Sequence, residues 1–229
     1  MTPFICFAHR GASGHAPENT LMAIRKALEM GAPWIEVDVY SAQGELVVIH
    51  DRQLNRTTNG TGDVTLSSLS YIRSLDAGKG EKIPFLQEVF DTVSGCAGIN
   101  IELKGEDTAG PVAKLIGVYV AQGKLDYDQV LVSSFDPRLL LAVRSQDAQI
   151  PIGVLVEKII PETVPFAEQI GAFSIHPHHR AVTAEFVDEA HRRRMKVFVY
   201  TVNRADAVRK MKRLGVDGVF TNYPALCSA

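Results

Sequence analysis

The sequence has little of what marks a secreted or membrane-spanning protein. Its 229 residues include three cysteines, Cys6, Cys96 and Cys227, which form no C-x-x-C pair and whose odd number rules out a complete set of disulfides. Isolated cysteines of this kind are typical of reduced thiols in the cytoplasm. No run approaches the roughly 18 apolar residues of a membrane-spanning helix, and the first residues lack the basic and apolar segments of a signal peptide. We therefore expect a cytoplasmic protein without a membrane span.

The chain also lacks an excess of charge of either sign. The chain carries 24 Lys and Arg against 26 Asp and Glu, a formal net charge of −2, and neither sign is gathered into a long block. We therefore expect no nucleic-acid partner and no anionic membrane surface. Hydrophobic residues make up 46% of the chain, which is enough for the core of one large domain.

Short apolar runs alternate with segments of helical periodicity along the chain. Strand-like runs lie at 4–8, 34–39, 45–49, 98–103, 130–133, 152–156, 173–175, 197–200 and from 219, and helical patterns lie at 20–30, 85–93, 111–121, 137–144, 162–169, 184–194 and 205–214. Strands that alternate with helices predict a parallel sheet, and about eight such units favour a closed barrel. The predicted fold is therefore α/β, a (β/α)8 TIM barrel forming a single domain over 1–229. Segment 52–82, rich in Asn, Thr, Ser and Gly, breaks the rhythm and is predicted to be a small insertion after the second barrel strand.

Carboxylates mark the predicted ends of two strands. Glu36 and Asp38 are two residues apart in an apolar strand, so both should face the barrel interior while Val37 and Val39 face the helices. Glu102 ends the next barrel strand and supplies a third carboxylate. An isolated E-x-D pair would more often be an ordinary salt-bridge partner, but three converging carboxylates are natural ligands for Mg²⁺ or Ca²⁺. We expect Glu36, Asp38 and Glu102 to bind one divalent cation.

Histidines and cations accompany these acids. His9 and His50 end strand-like segments on the same predicted face, and histidine suits proton transfer near neutral pH. We expect His9 and His50 to act as a general acid and a general base. Arg10 and Lys104 supply fixed positive charge for a phosphate group. Together these residues favour metal-assisted phosphoryl chemistry.

Nine motifs, in order along the chain, resemble those of the glycerophosphodiester phosphodiesterase family. They are HRG at 9–11, PENT at 17–20, EVDV at 36–39, LVVIHD at 46–51, LNRTTNGTG at 54–62, IELK at 101–104, SSF at 133–135, TVN at 201–203 and GVDGVFTNYP at 215–224. The resemblance implies a TIM barrel that hydrolyses glycerophosphodiesters to sn-glycerol 3-phosphate and an alcohol. It also implies attack by the substrate's own glycerol hydroxyl, which forms a cyclic phosphate that water opens. The same roles follow for His9, His50, Arg10, Lys104 and the three carboxylates, with the insertion lying over the substrate pocket.

Two positions depart from the family pattern. Position 200 is Tyr where Trp is expected, and position 222 is Asn where Asp is expected. We expect neither residue to touch the metal or proton-transfer residues, so both should affect specificity more than activity.

Other readings stay open from the sequence. One is a lysophospholipase D-like phosphodiesterase on the same scaffold, a second is a barrel that binds phosphodiesters without catalysis, and a third is a Schiff-base lyase that uses Lys104. The preferred headgroup, the choice between Mg²⁺ and Ca²⁺, and the oligomeric state are undetermined. Among the remaining polar residues, we expect Asn19 and Thr20 to cap the first helix and His176, His178 and His179 to lie in a polar loop. We expect Cys6 and Cys96 to be small apolar fillers.

Overall fold

The computed structural model describes residues 4–227 and contains nine strands in one sheet. They are β1 Ile5–Ala8, β2 Trp34–Ala42, β3 Glu45–Val48, β4 Gly98–Leu103, β5 Val130–Ser134, β6 Ile152–Val156, β7 Ser174–Pro177, β8 Lys196–Val199 and β9 Gly218–Thr221. Eight of these strands, all except β3, pair in parallel in the order β1-β2-β4-β5-β6-β7-β8-β9, and β9 pairs back onto β1. This closed ring confirms the predicted TIM barrel.

Eight α-helices accompany the strands in the described part of the chain: α1 Leu21–Glu29, α2 Leu69–Ser74, α3 Leu86–Val93, α4 Ala109–Ala121, α5 Pro137–Gln146, α6 Thr163–Gln169, α7 Ala184–Arg192 and α8 Ala205–Arg213. Side-chain caps begin several of them. The Thr20 hydroxyl accepts from the Ala23 N–H and the Thr183 hydroxyl accepts from the Phe186 N–H, as expected for these residue types. No helix within residues 4–227 is both long and apolar enough to cross a bilayer.

The largest apolar cluster fills the layer between the barrel strands and the surrounding helices. Val37 and Val39 of β2 lie in it with Ile24 of α1 and Leu86 of α3, so the predicted outward orientation of both valines is confirmed. Because strand side chains alternate, the same register turns Glu36 and Asp38 inward.

Aromatic rings close the interior of the barrel beneath its polar residues. The Phe7 ring lies 4.8 Å from Phe198 and 4.5 Å from Phe220, centroid to centroid, and Leu131 completes this cluster. The interior is therefore packed on this side, and the polar side chains gather at the carboxyl ends of the strands, where barrel enzymes carry their chemistry.

The insertion is more ordered than its composition suggests. Strand β2 runs to Ala42, beyond its predicted end, because its last residues pair antiparallel with β3. Segment 52–82 then contains α2 and two short 3-10 turns, Leu54–Arg56 and Val64–Leu66. Its apolar side chains, including Leu54, Val64 and Ile72, form a small core of their own with Val47 and Ile49. The sequence predicted a small insertion here but did not indicate that it packs as a compact unit with a core of its own.

Two minor expectations were wrong. His176 lies inside β7 and is fully buried, not in a loop. Cys6 is buried as expected of a filler, but Cys96 is exposed.

Candidate active site

Three carboxylates meet inside the barrel at the carboxyl ends of two neighbouring strands. Glu36 and Asp38 of β2 are each 1% exposed, and Asp38 is in register with Glu102 of β4. One carboxylate oxygen from each residue lies within 4.8 Å of the others. Within residues 4–227 this is the only group of three or more His, Cys, Asp or Glu side chains close enough to share an ion.

The electrostatics of this cluster call for additional positive charge. Burial, together with the charges of Asp38 and Glu102, raises the pKa of Glu36 well above its usual value. Burial and the Asp38 charge also raise the pKa of Glu102, to about 7. Among the described residues, Glu36 Oε1 and Asp38 Oδ1 find no hydrogen-bond partner. Buried carboxylate oxygens of like charge that accept no hydrogen bond are costly. The donor set therefore fits a hard divalent cation, which takes oxygen ligands of this kind.

Arg10 and Lys104 offset part of this negative charge. Arg10 has a left-handed backbone (φ 56°) that aims its N–H at Glu36 Oε2, 2.7 Å away. Its Nε lies 3.3 Å from Asp38 Oδ2, and Lys104 Nζ lies 2.6 Å from Glu102 Oε1 and 3.6 Å from Asp38 Oδ1. Burial opposes ionisation of Asp38, but the charges of Arg10 and Lys104 outweigh it and lower the pKa of Asp38.

The two histidines flank the same site but have different partners. His9 follows β1, and its Nδ1 lies 2.8 Å from Asn222 Oδ1. Burial and the nearby Arg10 charge lower the pKa of His9 to about 4, so its imidazole is neutral at pH 7. His50 follows β3, and its Nδ1 lies 2.6 Å from Asp51 Oδ1. In each residue Nδ1 is engaged, so Nε2 is the nitrogen available to a substrate.

One open pocket of about 750 Å³ connects these groups, with six of the seven predicted site residues in its wall: His9, Arg10, Glu36, His50, Glu102 and Lys104. Asp38, the seventh, contacts Arg10 and Lys104 behind them. Residues that are far apart in sequence, including Phe135, Glu157, His178 and Tyr200, also line this pocket.

Asn222 does not stand where the sequence reasoning expected it. It was expected to lie away from the proton-transfer residues, but it bonds His9 directly. Tyr200 lines the pocket, as expected of a residue that affects specificity. The residue that departs from the family pattern at position 222 therefore contacts one of the two proposed proton-transfer residues.

Several contributors to the site were missed in sequence. Asn19 is left-handed (φ 57°), and its side chain donates to Asp38 Oδ2 and accepts from the Asp38 N–H, whereas Thr20 alone caps the helix. Arg56 of the insertion donates to both Asp51 and Glu18. The PENT and LNRTTNGTG motifs signalled that these segments matter, but not which atoms they touch.

The His176, His178 and His179 run forms no metal cluster. Instead, His178 lines the pocket, and its ring lies 4.4 Å from that of His179, centroid to centroid, tilted by 39°. Burial alone lowers the pKa of His176 to about 3, and its Nε2 pairs with Ser174 Oγ at 2.8 Å.

Comparison with known proteins agrees with this geometry. A family model described as the glycerophosphoryl diester phosphodiesterase family matches residues 9–226. A glycerophosphodiester phosphodiesterase of Caldanaerobacter subterraneus is 36% identical over 96% of this chain and 94% of its own length. One of Bacillus altitudinis is 35% identical over 95% and 94%.

Solved structures give the same result. An Oleispira antarctica phosphodiesterase in complex with the product sn-glycerol-3-phosphate has a TM-score of 0.90 and 31% identity, covering 98% of this chain and 95% of that one. A Thermotoga maritima glycerophosphodiester phosphodiesterase has a TM-score of 0.78 and 29% identity, covering 97% and 96%. The fold, the motifs and the full-length matches agree, and the chain belongs to the glycerophosphoryl diester phosphodiesterase family.

Proposed function

We propose that this chain hydrolyses glycerophosphodiesters to sn-glycerol 3-phosphate and an alcohol, using one divalent cation and the histidine pair His9 and His50. The observation that carries the proposal is the convergence of both histidines with the acidic cluster at a single pocket. The Oleispira antarctica relative, which binds sn-glycerol-3-phosphate, supports the same product here. We further propose that residues 1–229 act as one domain.

Glu36, Asp38 and Glu102 would hold the cation, Mg²⁺ or Ca²⁺, since both ions accept carboxylate oxygens. When bound, the ion supplies Lewis-acid stabilisation of charge on the phosphate oxygens. Arg10 and Lys104 would add fixed positive charge on the same side of the pocket.

His9 is suited to act first as the general base, because its imidazole is neutral and its Nδ1 is held by Asn222. In the proposed first step, His9 Nε2 removes the proton from the glycerol hydroxyl next to the phosphoester. That oxygen attacks phosphorus, the bond from phosphorus to the headgroup oxygen breaks, and His50 protonates the departing alcohol. Water then opens the cyclic phosphate with the two histidines in exchanged roles.

A Schiff-base lyase is disfavoured by the surroundings of Lys104. Burial opposes its charge, but Glu102 and Asp38 outweigh burial and raise the pKa of Lys104. A nucleophilic lysine needs the opposite shift, since only the neutral amine attacks a carbonyl.

The test is release of glycerol 3-phosphate from a panel of glycerophosphodiesters, measured with EDTA and then with Mg²⁺ or Ca²⁺ restored. We expect activity to be lost in EDTA and restored by at least one ion. In matched assays, His9→Ala and His50→Ala should each lower kcat by about 100-fold or more, with circular dichroism unchanged.

Other outcomes would redirect the proposal. Near-normal turnover in either histidine variant would refute the acid–base pair. Turnover of lysophosphatidylcholine alone would identify a lysophospholipase D-like enzyme, and binding without turnover would identify a non-catalytic barrel. The cytoplasmic location indicated by the cysteine content remains a prediction, which fractionation of the producing cell would test.

A further inference from the structure

The beginning and the end of the described chain meet where the barrel closes. The first strand, β1, pairs in parallel with the last strand, β9, and this pairing completes the ring. After β9 the chain forms one 3-10 turn, Pro224–Cys227. Each of the two segments carries a cysteine, Cys6 in β1 and Cys227 at the end of the turn. The proposed hydrolysis uses neither thiol.

Strand alternation turns Cys6 away from the barrel interior. Its neighbour Phe7 packs among the aromatic rings inside, so Cys6 faces the other side of the strand. There Cys6 is 4% exposed, and its thiol donates to the Pro224 carbonyl oxygen at 3.6 Å. In a 3-10 turn the carbonyl of one residue points toward the residue three positions later, which here is Cys227. The Cys6 thiol therefore lies against the end of the turn that carries Cys227.

The two thiols are in direct contact. A side-chain hydrogen bond joins Cys6 and Cys227, and Cys227 packs against the apolar layer that contains Ala8 of β1. From α8, the Lys212 ammonium donates to the Cys227 carbonyl oxygen at 3.4 Å, which fixes the turn on the barrel. Two cysteines whose thiols already touch can form a disulfide without the large backbone movement that a distant pair requires.

The two sulfurs differ in accessibility and in reactivity. Cys227 is partly exposed, whereas Cys6 is buried. The hydrogen bond from Cys6, together with the Lys212 charge, outweighs burial and lowers the pKa of Cys227. The hydrogen bond with Cys227, then burial and the Cys227 charge, raise the pKa of Cys6. Because the thiolate is the nucleophile that attacks an oxidant, Cys227 reacts first and Cys6 second.

We propose that Cys6 and Cys227 form a peroxide-sensitive thiol pair, whose disulfide joins the first strand to the last turn and holds the barrel closed. The Cys227 thiolate attacks one oxygen of hydrogen peroxide and the O–O bond breaks. Cys227 becomes a sulfenic acid, and the other oxygen takes up a proton and leaves as water. The Cys6 thiol then attacks the Cys227 sulfur, the S–O bond breaks, and a second water leaves. Two thiols are oxidised to one disulfide and one peroxide is reduced to two waters.

The disulfide closes a loop that includes almost the whole chain. A cross-link removes conformational freedom from the unfolded chain, and it removes more for a longer loop. It also ties together the segments that carry two site residues, since the His9 N–H donates to the Thr221 carbonyl oxygen at 2.9 Å and the His9 imidazole pairs with Asn222. We expect the oxidised protein to melt about 5 °C or more above the reduced protein.

The test treats the purified protein with hydrogen peroxide, removes the peroxide with catalase, blocks free thiols with N-ethylmaleimide and maps disulfides by mass spectrometry. Trypsin should release peptides 1–10 and 214–229, which contain Cys6 and Cys227, joined by a bond that dithiothreitol breaks. Free thiols in the denatured protein should fall from three to one, because Cys96 remains. Dithiothreitol should also reverse the gain in Tm.

Matched variants separate this pair from general oxidation. Cys227→Ser, at the partly exposed position, should abolish both the joined peptides and the gain in Tm. Cys6→Ser should do the same. The control is Cys96→Ser, which replaces the exposed cysteine and should leave the joined peptides and the gain in Tm unchanged.

Three results would overturn the thiol pair: dimers linked through Cys96 in place of the bond within one chain, a sulfinic acid at Cys227 with Cys6 still free, or three free thiols after treatment. A disulfide that forms without raising Tm would overturn its role in holding the barrel closed. None of these readouts uses the release of glycerol 3-phosphate, so the thiol pair and the proposed hydrolysis stand or fall separately.

Discussion

At the scale of single residues, the two histidines of the site have chemically different partners. His9 meets a neutral amide in Asn222, whereas His50 meets the carboxylate of Asp51. An amide oxygen orients the imidazole without adding a negative charge. Its hydrogen bond raises the pKa of His9, but burial and the Arg10 charge outweigh it and hold that pKa at about 4. The base form of His9 is therefore populated at all pH values well above 4.

Replacing Asn222 by Asp should move the acid limb of catalysis. A carboxylate beside His9 Nδ1 stabilises the imidazolium, so the pKa of His9 rises and a higher pH is needed to deprotonate it. We expect Asn222→Asp to shift the acid limb of the kcat/KM profile upward by about one pH unit or more. The measurement is kcat/KM from pH 4 to 9 at saturating metal. An unchanged or downward-shifted limb would contradict the assignment of His9 as the base.

The Glu36 carboxylate should lower the stability of the fold when metal is absent and strengthen binding when metal is present. In EDTA, burial and two neighbouring carboxylates raise its folded pKa above the ordinary 4.5, so its charge destabilises the folded state increasingly as pH rises above 4.5. Glu36→Gln should therefore hold or raise Tm in EDTA at pH 8. With metal, the variant should lose affinity by about 100-fold or more, because a direct ligand is removed.

Two measurements check this pair of effects: thermal melting in EDTA, and calorimetric titration with Mg²⁺ and Ca²⁺. Full metal affinity in Glu36→Gln would exclude Glu36 as a ligand. A large fall of Tm in EDTA would show that Glu36 supports the fold by itself.

At the scale of elements, one arginine of the insertion contacts two acidic residues of the site. Arg56 donates to both Glu18 oxygens, at 2.7 and 3.0 Å, and to Asp51. Glu18 in turn accepts from Arg10 at 2.7 Å, and Asp51 pairs with His50. Arg56 therefore holds Glu18, the partner of Arg10, and Asp51, the partner of His50.

Arg56→Ala should lower kcat by about tenfold with little change in Tm, since the apolar core of the insertion is untouched. Arg56→Lys should restore only part of the activity, because an ammonium cannot reproduce the forked contacts of a guanidinium. Arg52→Ala is the matched control, since Arg52 pairs with Asp63 and Thr65 inside the insertion. Equal losses in Arg52→Ala and Arg56→Ala would indicate a general effect on the insertion instead of positioning.

At the scale of the whole molecule, the barrel contains a buried neutral histidine beneath the site. His176 packs against Phe198 and Phe220, and Gly153 leaves room for its ring, because a Cβ there would lie 2.6 Å from it. Burial lowers its pKa from 6.5 to about 3. The unfolded chain therefore binds a proton between pH 6.5 and 3 that the folded barrel excludes. The stability held above pH 6.5 is lost as pH falls through this range.

His176→Gln should remove this part of the acid sensitivity. The variant should be less stable than wild type at pH 8, since packing with the aromatic rings is lost. The difference in unfolding free energy should narrow by about 1 to 2 kcal/mol at pH 5, since each pH unit is worth about 1.4 kcal/mol. Urea unfolding at the two pH values measures this, and a difference that stays constant would show that His176 is accessible to protons.

Much of the fold could be predicted from the sequence, because its strands and helices follow from the pattern of neighbouring residues. Alternating apolar runs and helical periods predicted most elements within a few residues, as for Gly98–Leu103 and Ile152–Val156. The insertion was the exception, since the small core around Leu54 and Ile72 draws on apolar residues scattered among polar ones and leaves no periodic signal.

The sequence by itself determined the closed barrel, the family, and which carboxylates and histidines meet at the pocket. Strand alternation and the placement of polar groups at strand ends are properties of neighbouring residues, and they can be read one segment at a time. Only the tertiary structure decided the partners: Asn19 on Asp38, Asn222 on His9, and Arg56 on Glu18. These contacts join residues that are distant in the chain, and the closure of the barrel, not local propensity, brings them within bonding distance.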